Sequence, residues 1–356
     1  MAAQAADDPA EKVEPRRQRR VLLDERRGQA RDGVHSILEG RAVKDETRKV
    51  YADLMCELVL FAAESGLQMG TREQDEMILL EWADEAFLEG RPSADGSKMW
   101  AAYTHYHPAR GRLGDPLARA RRAMQSWSRL APSHGRIPPA FPMVCGIVAE
   151  LAKAGWPTMC LAVLVATSGY LRPGELLNLR GADLVEPLVS LGPAYSHWSI
   201  VLGSTDKENP LPTKMGIYDD AVILDHSELE WMDPLLAKLV HSRPRQEPLW
   251  DFTAVDFRRE FSQAAVKAGL GKLNLVPYSL RHAGPSWDAL VHRTPQREIQ
   301  RRGRWKSPGS VVRYERSSRV LAVLRALPPI ILAYLEFCET HLADLVRGAC
   351  VKQGLA

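Results

Sequence analysis

Between Ala131 and Pro142 the sequence reads APSHGRIPPAFP, which packs four prolines, a glycine and a serine into twelve residues. Proline fixes φ and lacks the N–H that a helix or strand interior needs, so no regular element runs through this stretch and it reads as an extended connector. A chain of 356 residues is long enough for two separate cores, on the prior of roughly 100 to 200 residues per domain. The connector, taken as 132–142, therefore divides the sequence into parts that must each bury their own apolar residues.

Upstream, residues 1–43 run through Ala, Asp, Glu and Pro into RRQRRVLLDERR, with too few large apolar residues to form a core, and they read as a mobile charged tail. Residues 44–131 repeat apolar side chains at helical intervals. Tyr51, Leu54, Met55, Leu58 and Phe61 form one face, and Met77, Leu80, Trp82 and Phe87 a second. In DPLARARRAMQSWSRL, Arg119, Arg121, Arg122 and Arg129 share a helix with Met124, Trp127 and Leu130. One side can pack while the arginines either meet phosphate or form a solvated face.

Downstream, 143–345 begins with two apolar helical segments, Met143 to Ala154 and Pro157 to Thr167, and GELLNLRGADL reads as a further helix ending in a Gly turn. HWSIVL and AVILD are β-branched runs on either side of a Gly/Asn/Pro-rich connection, a small hairpin. The expected fold class is mainly α with a small antiparallel β-sheet: a helical domain followed by an α+β domain.

Composition narrows function less than the motifs do. The 47 Lys+Arg against 44 Asp+Glu leave a net charge of +3, so a basic surface must come from clustering. Five cysteines without a C-x-x-C pair, and no apolar leader-like stretch at the start, suggest a reduced intracellular setting. No apolar run approaches the ~18 residues of a membrane span, since the segment from Val320 is cut by Arg325, Pro328 and Pro329. Gly271-Lys272 lacks the remainder of a phosphate loop, H-E-x-x-H is absent, and His105 and His107 have no third ligand nearby.

Three stretches carry chemistry. TSGYLRPGELLNL places Arg172 three residues before Glu175, so the carboxylate can reach back and fix the guanidinium. PYSLRHAGPSWDAL supplies Tyr278, Arg281 and His282. GRWKSPGSVVRY holds Trp305 and, nine positions on, Tyr314. Taken singly, the last pair reads as packing, with Val311, Val312 and Tyr314 buried. Taken together, two planar guanidiniums suit the non-bridging oxygens of a phosphodiester, and an indole N–H adds a neutral donor.

In this order the three stretches resemble the tyrosine recombinases, the phage-integrase family. SGYLRPGE matches its first arginine motif, YSLRH its second box in all but the first residue, and GRW with VVRY its third box and nucleophile, with 33 residues from Arg281 to Tyr314. The resemblance spans residues 45–335 and is strongest from 165 to 316. It implies a helical core-binding domain and a DNA breaking-rejoining catalytic domain. It also implies that Tyr314 attacks the phosphate to give a 3′-phosphotyrosine without ATP, metal or other cofactor, while Arg172, Arg281 and Trp305 stabilise the charge. The general acid is then a hairpin lysine; Lys214 in PTKMG is favoured over Lys207, which lies beside Asp206 and Glu208. Tyr278 departs from the family's histidine, and a phenol with a pKa near 10 is a poor base at neutral pH, so either Tyr278 only donates a hydrogen bond to phosphate, or removal of the Tyr314 proton is left to His282 or solvent.

The same resemblance implies double-stranded DNA as partner, a homotetramer on DNA, and a place inside the cell at DNA, in the nucleus for a eukaryotic host. The segment 320–342 is then expected to dock on the neighbouring protomer. A catalytically inactive DNA-binding relative and a type IB topoisomerase-like relaxase remain as alternatives.

Overall fold

The computed structural model describes residues 42–110, 117–132, 138–204, 219–311 and 317–355. Nearly all of the expected tail, part of the proline-rich connector, Lys207, Lys214, Val312 and Tyr314 lie outside them. The chain divides into two units, Met1–Gly135 and Arg136–Ala356, with the division inside the proline-rich stretch.

The first unit is helical: α1 (Asp45–Glu64), α2 (Arg72–Leu88), α3 (Ser93–Tyr106) and α4 (Ala118–Leu130). Thr71 opens α2 with a capping box, its Oγ1 accepting from Gln74 N while Gln74 Oε1 accepts from Thr71 N. The buried stripe of α2 differs from the expected one. It runs through Asp75, Ile78, Leu79, Trp82, Ala83 and Ala86, whereas Met77 is exposed and Leu80 and Phe87 are half-buried. Leu80 and Phe87 still pack against the core that holds Trp82, so of the expected face only Met77 turns outward. Asp75 tolerates burial because Tyr103 Oη donates to it at 2.6 Å and Gly70 N at 3.0 Å. On α4, Met124 and Trp127 are buried as expected, together with Ala120, but Leu130 is exposed. Arg119, Arg121, Arg122 and Arg129 lie on the exposed side.

The second unit is built around α5 (Phe141–Lys153) and α6 (Pro157–Ser168), and every residue of α6 is buried. A short α7 (Pro173–Leu177) follows, and then a 3₁₀ turn at Gly181–Asp183, so the helix expected across GELLNLRGADL stops early. β1 (Leu184–Val185), β2 (Trp198–Leu202) and β3 (Asp220–Leu224) form an antiparallel sheet in that order, with Leu184 facing Ile200 and Ile200 facing Val222. The β2–β3 pairing is the expected hairpin. β1 is an addition, too short at two residues to show a period of two in the sequence.

Helices α8 (Asp233–His241), α9 (Ala254–Lys267), α10 (Leu280–Trp287), α11 (Gln296–Arg302), α12 (Ser317–Arg325), α13 (Pro329–Thr340) and α14 (Leu342–Lys352) complete this unit. Pro285 interrupts the hydrogen-bond ladder of α10, which passes into a π turn over Asp288–His292. The fold is therefore mainly α with one small antiparallel sheet. Among the described residues no single helix is long and apolar enough to cross a membrane. One pair, Ser318–Arg325 with Pro329–Thr340, reaches that length together but bends by 116°. The segment expected to dock on a neighbouring protomer is folded back within the single chain, because α13 and α14 pack against α5.

Candidate active site

α6 ends at Ser168, and the backbone then turns through Tyr170, a non-glycine residue held at φ 50°. A left-handed conformation is costly for an aromatic residue and persists only where its surroundings enforce it. Here the phenol is the anchor. Tyr170 Oη donates to Asp288 Oδ2 in the π turn, and burial together with the adjacent Asp288 raises the Tyr170 pKa. Asp288 also receives Arg302 Nη1 at 3.2 Å, and its Oδ1 lies 2.8 Å from His226 Nε2, whose Nδ1 meets Ser168 Oγ at 2.8 Å. Ser168, His226 and Asp288 have the composition of a nucleophilic triad, but all three are buried and the His226 ring stacks on Trp287 at 4.6 Å. No substrate reaches them. They form the scaffold that aims the Tyr170 carbonyl.

That carbonyl organises the arginines. Arg281, on α10, is fully buried; its Nη1 donates to Tyr170 O and its Nη2 to Gly303 O at 2.6 Å. The guanidinium lies over the Trp305 ring at 5.0 Å from the centroid, so the indole supports Arg281 through its face. Arg304 Nη2 donates to the same Tyr170 carbonyl at 3.3 Å and to Glu175 Oε2 at 2.9 Å. Arg172, which opens α7, donates its backbone N to Glu175 Oε2 at 2.8 Å and its Nη1 to Oε1. Glu175 thus bridges Arg172 and Arg304, and Tyr170 bridges Arg281 and Arg304.

Burial, and then the positive fields of Arg172 and Arg304, push the Arg281 pKa down to about 10. Among the described residues no carboxylate bonds to Arg281; its hydrogen bonds end on neutral carbonyls. A buried cation without a paired anion is costly, and the arrangement favours an incoming anion. Tyr278 is exposed on one side and lies within the field of Arg281, with its ring 5.2 Å from that of His282. The structure therefore brings Arg172, Glu175, Tyr278, Arg281, His282 and Trp305 together.

The sequence reading missed Tyr170, Gly303, Gly284 and Arg304. Gly303 has no room for a side chain, since a Cβ would stand 1.8 Å from the Trp305 ring. Gly284 is the contact between α10 and α6, where a Cβ would lie 2.1 Å from the Thr167 carbonyl oxygen and 2.5 Å from the Tyr170 ring. The sequence signal for either was only a glycine near a motif. Gly284→Ala is expected to cost about 3 kcal/mol, the upper part of the overpacking range, because backbone as well as side chain must move. For a unit of this size that is roughly a 6–12 °C fall in Tm, measured by thermal unfolding. Arg281 stands one turn away on the same helix, so the substitution should also impair whatever chemistry the site performs.

His105 and His107, weighed as metal ligands, lie against aromatic rings in tilted arrangements: His105 beside Tyr51 at 5.4 Å and His107 beside Tyr103 at 4.6 Å between centroids. Among the described residues no cluster of His, Cys, Asp and Glu could hold a metal ion.

No family model matches the chain, and no curated protein matches it. Among solved structures the chain is similar to a lambda integrase (75–356) dimer bound to a COC′ core site, with 15% identity, 84% of this chain and 96% of that one covered, and a TM-score of 0.46. It is also similar to XerA recombinase, with 18% identity, coverages of 82% and 95%, and a TM-score of 0.37. A third is XerH site-specific recombinase bound to difH substrate, with 13% identity, coverages of 71% and 77%, and a TM-score of 0.40. All three are tyrosine recombinases. Likeness of this degree concerns the fold, and the reading of the site rests on its own side chains.

Proposed function

We propose that the chain is a tyrosine-type DNA strand-transfer enzyme, a site-specific recombinase or integrase, with residues 136–356 as its catalytic unit. The observation that carries this reading is Arg281, buried over Trp305, bonded among the described residues to two backbone carbonyls and flanked by Arg172. A phosphodiester supplies the anion such a pocket lacks, and its oxygens gain charge as a fifth oxygen bonds to phosphorus. The phenol oxygen of Tyr314 attacks phosphorus, and the bond to the 5′-oxygen breaks. The strand is then held as a 3′-phosphotyrosine, and a second 5′-hydroxyl reverses the step. Two guanidiniums, the Trp305 indole and a Tyr278 phenol offer donors to the oxygens, with His282 placed beside Tyr278. Arg119, Arg121, Arg122 and Arg129, exposed on α4, supply backbone contacts to duplex DNA. Four protomers on DNA complete the assembly.

The decisive experiment mixes purified protein with nicked duplexes carrying the ends of its own genetic element and looks for a covalent protein–DNA adduct on a denaturing gel. An adduct is expected, and its absence with every end tried would sink the proposal. The leaving 5′-oxygen takes a proton from Lys214 rather than Lys207. Replacing that oxygen by sulfur removes the need for an acid, so the modified substrate should restore cleavage by Lys214→Ala. Restoration of Lys207→Ala alone would reverse the assignment.

A further inference from the structure

Arg304 is the one charged group of the cluster that the proposed reaction leaves without a task. It stands in a left-handed turn at φ 55° between Gly303 and Trp305, with its side chain only 5% exposed. Its Nη2 is occupied by Glu175 and Tyr170, but among the described residues Nε lies 3.6 Å from Asp220 Oδ2 without a hydrogen bond, and Nη1 has no hydrogen-bond partner. Asp220 Oδ2 is likewise unsatisfied. Unsatisfied donors on a buried cation are expensive, and a folded protein rarely keeps them without a use. The same side chain lines a cavity of about 860 Å³, with Arg297, Arg301 and Lys306 around it and Asp220 and Glu298 as the acidic members. Four cations facing two carboxylates favour an anionic occupant.

We propose that this cavity is a second phosphate site, holding the backbone phosphate next to the one bound by Arg172 and Arg281. Arg304 makes the buried contact, and Arg301 and Lys306 form the rim. The inference rests on the strand-transfer reading for the source of the phosphate. Arg281 and Arg304 share the Tyr170 carbonyl, so the anions they bind must lie close together. Successive phosphates of one strand meet that condition, advancing only about 3.4 Å along the helix axis per nucleotide. Glu175, hydrogen-bonded to Nη2 at 2.9 Å, holds the Arg304 guanidinium in place before DNA arrives.

The test is the salt dependence of binding to a random-sequence duplex, read by fluorescence anisotropy between 50 and 200 mM salt. Loss of one phosphate contact makes the slope of log K against log salt shallower by about 0.9, roughly a threefold smaller loss of affinity across that range. Arg304→Gln is expected to show this change. Arg301→Gln, at an exposed rim position where folding is not at risk, should move the slope in the same direction. Unchanged slopes in both variants overturn the proposal, and Arg301→Gln alone decides it if Arg304→Gln fails to fold. Inorganic phosphate should raise the Tm of the wild type more than that of either variant. Phosphate protection with unchanged duplex slopes would make this a site for free anions and overturn its assignment to DNA. Covalent adduct formation by the wild type reports separately on the enzyme. Shallower slopes without any adduct would leave the phosphate site standing and remove the strand-transfer reading, and an adduct with unchanged slopes would do the reverse.

Discussion

Tyr314→Phe is expected to bind random duplex DNA as the wild type does and to give no covalent adduct with nicked duplexes. The substitution removes one oxygen and leaves Arg172, Arg281 and Trp305 in the sequence. The comparison with Arg281→Ala sharpens the expectation, because that change removes the guanidinium that joins the Tyr170 and Gly303 carbonyls over Trp305. It should slow adduct formation by about 3 kcal/mol or more in the barrier, on the order of 10²-fold, by analogy with a lost oxyanion donor. It should also lower Tm, which Tyr314→Phe need not do. A denaturing gel, an anisotropy titration and a melting curve on the three proteins separate the roles. Adduct formed by Tyr314→Phe at the wild-type rate would remove the nucleophile assignment.

How much of this was legible in the sequence depended on how local each contact is. Glu175 reaching back to Arg172 follows from a spacing of three residues at a helix start, and the structure has that pair. The β2–β3 hairpin was legible because each strand carries its own β-branched run. The clustering of Arg281, Arg304 and Arg172 was only partly so. It depends on Tyr170 held in a left-handed turn by Asp288, 118 residues away in sequence, and no spacing announces a contact of that range. Arg304 carries no such signal, because the motif is recognised by its glycine and tryptophan and its contacts to Tyr170 and Glu175 lie 134 and 129 residues away in sequence. The stripe of α2 was legible in part: Leu80, Trp82 and Phe87 pack into the core as their spacing says, while Met77 is exposed and Ile78, Leu79, Ala83 and Ala86 complete the buried face.

Removing residues 326–356 is expected to destroy the second unit rather than leave a protein that still occupies a single DNA site. The apolar pattern of the C-terminal segment says that it must be buried, and by itself it does not say against what. In the single chain the answer is α5: Leu335 and Cys338 of α13, with Leu342, Val346 and Cys350 of α14, belong to the same core as α5 and α6. Gly146 of α5 marks the closeness of this packing, since a Cβ there would stand 2.4 Å from Leu335 Cδ2. Burying a Leu or Val side chain contributes about 1.5–3 kcal/mol, so the three large residues alone account for roughly 5–9 kcal/mol. That is comparable with the entire 5–15 kcal/mol by which a typical domain is stable. An exchange of this segment between protomers would first have to lose the same contacts within one chain. Full-length and truncated proteins compared by circular dichroism and thermal unfolding decide the matter. The truncated form should show no cooperative transition for the second unit, and a normal transition in that form would mean that the segment covers a core already complete without it.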